Sequence, residues 1–343
     1  MSEEKDSFVS VDPAIETVWR SIIVLGRNVA SYKFALAKSL LEIDTNKTKI
    51  KLDELAVPFS KNICSHLEHN DKQITSSSSS FIEICRSFNR SEITEEELTD
   101  KTVKLGFVNV IDAFHNLAGG ETLRFFSDNR SNDNSIILTD NFYNLKEKDN
   151  FNNLLCETES RWNLWETAIS EKVNPSVLEM RNDHITGELY YEKNKERRKS
   201  ITSCRGVLNG YQKGKCFYCS KPISIKSGND DTCHVDHFFP YKLKDLGYNQ
   251  VDQIWNYVLS CSNCNNGENG KFMKIPKKKF LYSLEKRNNW FIESPHNLRE
   301  YLIHQTGKNK IQRRSFLNNF YDNIAYANIP ITWEPLERFG DYL

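Results

Sequence analysis

From about Pro13, apolar residues recur at spacings of three and four: Ile15, Val18, Trp19, Ile22, Ile23 and Leu25, then Val29, Tyr32, Phe34, Ala35, Leu40 and Leu41. That period predicts one long helix to about Ile43, or two broken near Gly26-Arg27-Asn28. Leu52 to Leu67 predicts another, with Pro58 at a turn or kink. The five serines from Ser76 to Ser80 suit a linker or a helix N-cap before a short helix over Phe81–Phe88. Thr94 ahead of Glu95-Glu96-Glu97 reads as the cap of a further helix, which Gly119-Gly120 stops. The period then shortens. Thr122–Phe126 and Ser135–Thr139 predict a hairpin, and residues 147–170 return to helix.

The second half is punctuated differently. Residues 171–200 read as a connector ending in the charged run Glu192–Lys199, followed by a helix over 196–212 that leads to Cys216. Beyond Lys271, the basic stretch Lys274–Lys279 opens a helix, and residues 297–306 and 309–327 predict two more. The expected division is a mainly α-helical regulatory or recognition domain over 1–170, a connector over 171–200, a small module over 201–290 and a helical extension over 291–343. The fold class is α+β.

At 343 residues, two domains can each bury an ordinary core. No apolar run approaches the roughly 20 residues of a membrane span, and the charged N-terminus lacks a secretory pattern. The expected location is therefore cytoplasmic, with no membrane partner. The zero net charge conceals an asymmetry: residues 1–170 carry 19 Lys and Arg against 27 Asp and Glu, and residues 171–343 carry 27 against 19. Only the basic half is suited to a polyanion, while the acidic half suits a protein partner. An odd count of nine cysteines argues for metal ligation by a subset over a disulfide framework. Cys64, Cys85, Cys156 and Cys204 stand alone in apolar patterns and read as small buried residues. His66 and His69, three apart, read as two solvated histidines.

The chemistry concentrates between Cys216 and Lys271. Cys216-x-x-Cys219 and Cys261-x-x-Cys264 have the spacing with which two thiolate pairs grip one tetrahedral zinc. Four thiolates leave no open position, so this Zn2+ is structural. Cys233 is a spare, and His234 could compete as a ligand. Between the pairs lies His234-Val-Asp-His-Phe-Phe-Pro240. An adjacent carboxylate and imidazole can divide labour: one binds a divalent cation and the other takes a proton from water, a task for which a histidine is apt. Taken alone, the dipeptide equally suits a core histidine beside a surface aspartate.

The set Cys216, Cys219, Val235-Asp236-His237-Phe238-x-Pro240, Asn256 with Val258-Leu259, and Cys261-x-x-Cys264-Asn265 resembles the HNH (ββα-metal) nuclease family in its zinc-stapled form. The resemblance covers about 55 residues. It implies a small ββα-metal module in which His237 is the general base. Asp236 and Asn265 would then ligate one catalytic Mg2+ or Mn2+, while Asn256 braces the loop and orients the base. DNA would be the substrate, and family-level analogy suggests restriction or antiphage defence. The chain departs from the family pattern at Asn266-Gly-Glu-Asn-Gly270, which intervenes before the usual lysine, so Glu268 or Asn269 could enter the metal shell. Lys271, Lys274, Lys277, Lys278 and Lys279 could engage phosphates, or form a solvated face. The non-catalytic alternative is a zinc module that only binds nucleic acid or a protein partner. A zinc deaminase needs His-x-Glu with Pro-Cys-x-x-Cys, which this chain lacks.

Overall fold

The computed structural model describes residues 15–25, 30–44, 46–76, 78–116, 123–148, 151–171, 180–182, 188–192, 198–226, 232–293, 298–326 and 331–340. The N-terminal tail, Gly119-Gly120 and residues 193–197 of the charged run lie outside them, as does the side chain of Cys204.

Most periodic stretches become helices where expected, but the helix that Thr94 caps ends at Leu105, with Gly106 after it, instead of running on to Gly119-Gly120. Helices α1 (Ile15–Leu25) and α2 (Tyr32–Glu42) replace the single long alternative. A short strand, β1 (Lys49–Lys51), leads into α3 (Leu52–His69), which runs through Pro58. Ser79 caps α4 (Ser80–Asn89), its hydroxyl accepting from the Ile82 amide. Thr94 and Glu97 form a reciprocal capping box at α5 (Glu95–Leu105), satisfying two amides that the first turn leaves unpaired. A single turn, α6 (Val110–Ala113), precedes the hairpin.

The hairpin forms with its first arm moved along the chain: β2 (Phe126–Asn129) pairs antiparallel with β3 (Ser135–Leu138), joined by the turn α7 (Arg130–Asp133). Strand β1, absent from the expected elements, pairs with β3 to complete the sheet. Three isolated residues are too short for hydrophobic alternation to reveal. Helices α8 (Asp140–Lys146) and α9 (Phe151–Ser170) close this unit.

The core of this unit is aromatic. Trp19 meets Phe125 edge-on at 5.0 Å, and Phe34 stacks on Trp162. The fully buried Arg20 donates two hydrogen bonds to Glu157, at 2.7 and 2.9 Å. His66 corrects the expectation of two solvated histidines. It is buried, lies flat on Trp162 at 3.5 Å, and bonds Glu166 at 2.7 Å and Glu159 at 3.1 Å. Its three-residue spacing from His69 carried no information about Glu159 and Glu166, roughly 100 positions away.

Contacts divide the chain into residues 1–173 and 174–343. In the second unit the stretch expected as a connector folds into an antiparallel sheet of β4 (Met180–Asn182), β5 (Glu188–Glu192) and β6 (Arg198–Ser203). The following helix, α10 (Cys204–Gln212), therefore starts later than residue 196. Strand β7 (His234–His237) pairs antiparallel with β8 (Tyr257–Ser260), and α11 (Ser262–Asn266) follows at once, giving the ββα order. Ile275–Pro276 forms β9. Helices α12 (Lys279–Glu293), α13 (Arg299–Thr306) and α14 (Lys310–Tyr326) then lead to β10 (Ile331–Trp333), which returns parallel to β9. No helix among the described residues is long and apolar enough to cross a membrane.

Candidate active site and zinc centre

The cysteine pairs arrive from two turns. Cys216-Phe-Tyr-Cys219 forms a knuckle closed by the Ser220 amide on the Cys216 carbonyl, and the Phe217 amide ties it to Leu259 of β8. Cys261 and Cys264 sit at the start of α11. The four sulfurs lie within 4.8 Å of one another, with Cys219 and Cys261 Sγ atoms 3.7 Å apart. A tetrahedral zinc with bonds of about 2.3 Å sets its sulfurs roughly 3.8 Å apart, so the thiolates fit that ion. Among the described residues they are the only cluster of this kind. Cys233 is buried outside it, and burial pushes its thiol up to about 11.

Asp236 and His237 end β7, where the chain bends through Phe238-Phe239 into Pro240. Alternation along a strand sends neighbours to opposite faces. Both residues nonetheless line one cavity of about 480 Å³ with Pro240, Tyr241, Lys242, Asp245, Lys271, Phe272 and Met273. Asp236 is buried. Its Oδ2 accepts from the Tyr218 hydroxyl at 2.7 Å and its Oδ1 faces the Lys271 ammonium at 3.2 Å. Burial, reinforced by the neighbouring carboxylate, raises the Tyr218 pKa well above its ordinary value, so the phenol stays a donor.

His237 Nε2 donates to Asp252 Oδ1 at 3.2 Å, a partner that sequence reasoning missed. Asp252 is itself held by the Tyr257 hydroxyl at 2.8 Å and the Lys244 ammonium at 3.1 Å. Burial would raise the Asp252 pKa. The bonds from His237, Tyr257 and Lys244 outweigh it and hold the carboxyl below the usual range. Tyr257 also meets the His237 ring edge-on at 4.8 Å. A cross-strand neighbour and a carboxylate fifteen residues away thus fix one imidazole.

Asn256 is fully buried and ties the loop after β7 to Val251. Its side chain accepts from the Phe239 amide and donates to the Phe239 and Val251 carbonyls, each at 2.8 Å. Behind it, buried Arg287 of α12 donates to the carbonyls of Ile254, Trp255 and Tyr257. Burial lowers the Arg287 pKa to about 9. A guanidinium inside the fold, its two terminal nitrogens on three carbonyls and its Nε unpaired, is a costly clamp, and no local motif around residue 287 announces it. Gln212 does a similar task at the other edge, pairing both amide atoms with the Leu259 backbone.

The five-residue departure at 266–270 resolves into a closed turn. Gly270 N–H donates to Gly267 O, and Lys271 and Phe272 return to the Cys264 and Asn265 carbonyls. A Cβ at Gly267 or Gly270 would meet backbone atoms at 2.8 or 2.9 Å, which demands glycine at both positions. The extra residues loop out, and Lys271 still reaches Asp236. Glu268 and Asn269 line a separate cavity beside Cys219, Cys261, Cys264 and Trp333. Asn265 lies on α11, which packs against β7, and is not among the residues lining the Asp236 cavity. Most of the basic stretch is internally paired: Lys277 and Lys279 with Glu334, Lys278 with Asp322, Lys271 with Asp236. Exposed pairs are weak, but the stretch is not the free cationic face that its sequence suggested.

The order of elements and the paired cysteine knuckles define a ββα module whose four clustered cysteines could hold zinc. Residues 216–271 match the family model described as HNH endonuclease. Comparison with curated proteins and with solved structures gave no match.

Proposed function

We propose that the chain is a metal-dependent endonuclease of the HNH type that hydrolyses DNA phosphodiester bonds. The observation that carries this reading is the meeting of Asp236 and His237 in one cavity, with His237 braced by Asp252. A merely structural zinc module has no need for an imidazole clamped in this way beside a carboxylate.

His237 is the general base. A neutral imidazole that donates through Nε2 keeps its lone pair on Nδ1, and that atom takes the proton of the attacking water. Asp252 fixes this tautomer and stabilises the imidazolium as it forms, while Tyr257 and Lys244 hold Asp252 still. Asp236 would hold a Mg2+ or Mn2+ ion through its oxygen atoms, and Asp245 offers a further carboxylate in the same cavity; Asn265 from α11, outside the cavity lining, would join only by turning its side chain toward Asp236. Such an ion keeps several waters, so few protein ligands suffice. When bound it supplies positive charge to the phosphate oxygens. Tyr218 and Lys271 orient Asp236. Asn256 and Arg287 keep the loop carrying the base in register with β8. The acidic helical half is assigned to substrate selection or docking of a protein partner, and restriction or antiphage defence is the setting that family-level analogy suggests.

Purified protein incubated with plasmid in Mg2+ or Mn2+ tests the reading. Wild type nicks or linearises the plasmid and His237→Ala does not. Equal cleavage by His237→Ala removes the assigned base. DNA binding without cleavage under any divalent ion returns the module to a binding role.

A further inference from the structure

Two apolar side chains at the cavity mouth have no part in the chemistry above. Phe272 is 51% exposed and Met273 60% exposed, and both line the cavity that holds Asp236 and His237. Scattered exposed apolar residues are ordinary. These two are adjacent, and the backbone is strained to present them: Phe272 has φ +47°, a left-handed conformation that a bulky residue rarely adopts. The turn is tied down on every side. The Phe272 amide donates to the Asn265 carbonyl at 2.9 Å, the Phe272 carbonyl accepts from the Lys271 ammonium at 3.2 Å, and the Lys274 amide closes on the Lys271 carbonyl at 2.8 Å. Lys271 points inward to Asp236 while its two successors face outward. Exposed Lys242 lines the same cavity, and exposed Lys274 follows the turn.

A phosphodiester held at His237 brings its own bases to this mouth. Lysines beside the site serve the phosphates, whereas a phenyl ring and a thioether serve the flat faces of bases. Apolar wedges enter base steps where stacking is already weak and hold them open, and ring–base stacking is tolerant of sequence. We propose that Phe272 and Met273 form a wedge that takes an unstacked base step next to the scissile phosphate, so that the enzyme prefers distorted DNA, mismatched or gapped, over intact duplex. This inference rests on the nuclease reading for its substrate.

The test uses the full-length chain in two arms. In the first, His237→Ala protein is mixed with duplexes carrying 2-aminopurine at a mismatch, and fluorescence is followed as the base unstacks. A rise on binding that the additional Phe272→Ser/Met273→Ser change abolishes supports the wedge. No rise with the wedge intact, or a rise that survives the double change, overturns it. In the second arm, cleavage of mismatched and intact duplexes is compared. Wild type favours the mismatched substrate by roughly 5- to 150-fold, the range that loss of one stacked base spans, and the double variant brings that ratio close to one. Phe272→Trp keeps the preference, which separates the wedge from general damage to the turn. An unchanged ratio in the double variant overturns the proposal. If wild type cuts neither substrate, the nuclease reading fails and the fluorescence arm still decides the wedge.

Discussion

The Tyr218 hydroxyl donates to Asp236 Oδ2 at 2.7 Å, and Tyr218 sits between the two cysteines of the first knuckle. The four-cysteine cluster and the proposed cutting site are therefore one hydrogen bond apart. The phenol is wholly buried and packs edge-on against Trp333 at 5.0 Å, so it cannot turn to another partner. Folding of the knuckle sets the orientation of the carboxylate.

Tyr218→Phe keeps that packing and removes only the bond. A buried carboxylate oxygen left without its donor costs about 1–3 kcal/mol, read as a lower melting temperature. Zinc content should stay at wild-type level. The concentration of Mg2+ needed for half-maximal cleavage should rise about 10- to 100-fold, the usual effect of losing a partner behind a metal ligand. An unchanged Mg2+ requirement would detach Tyr218 from the site.

Replacing Asp252 by Asn leaves a side chain of the same shape that no longer demands the Nε2–H tautomer of His237. Cleavage should fall about 10²-fold in kcat with KM nearly unchanged, because substrate contacts are untouched. A loss confined to KM would mean that Asp252 serves binding and not the base.

Removing the zinc separates the two units. Structural zinc sites supply about 10 kcal/mol or more of folding free energy, comparable to the whole stability of a typical domain. Cys219→Ser or a strong chelator should unfold it. The helical unit has its own aromatic core around Trp19, Phe34 and Trp162 and should keep its helical circular dichroism. Loss of the whole spectrum in a single step would contradict this.

His66 makes the helical unit sensitive to pH. Burial lowers its pKa, but bonds to Glu159 and Glu166 more than reverse that, so the folded value lies above the ordinary one. A raised pKa contributes stability in full below the unfolded value of about 6.5 and loses it as pH rises through the folded value. Wild type should therefore lose more thermal stability than His66→Asn between pH 6 and pH 9. Parallel curves for the two proteins would refute the linkage.

Gly270→Ala places a Cβ 2.9 Å from the Gly267 backbone. The turn must open, at a cost of roughly 1–3 kcal/mol, and Lys271 moves away from Asp236. Cleavage should fall with zinc retained. Wild-type activity in this variant would show that the turn yields without disturbing the site.

Much of the molecule was legible because its signals are local. A capping box needs only Thr94 and Glu97, a helix face needs only its own period, and a zinc knuckle needs two cysteines three apart. The same locality explains why the candidate site residues stood out: Cys216, Cys219, Asp236, His237, Asn256, Cys261 and Cys264 fall within fifty residues. Where the period is short or interrupted, as in β1 and the sheet over residues 180–203, the sequence had little to offer.

What the chain alone determined is thus the inventory: which residue types are present for metal and proton chemistry, and the ββα order that carries them. Tertiary structure decided their partners. Asp252 reaches His237, Arg287 clamps the carbonyls around Asn256, Lys271 pairs with Asp236 across a looped-out turn, and His66 lies buried between two glutamates. Each depends on residues remote in sequence meeting in space, and burial then makes the contact matter, because a charge removed from water must find a partner. Spacing along a chain says nothing of that requirement until the chain has folded.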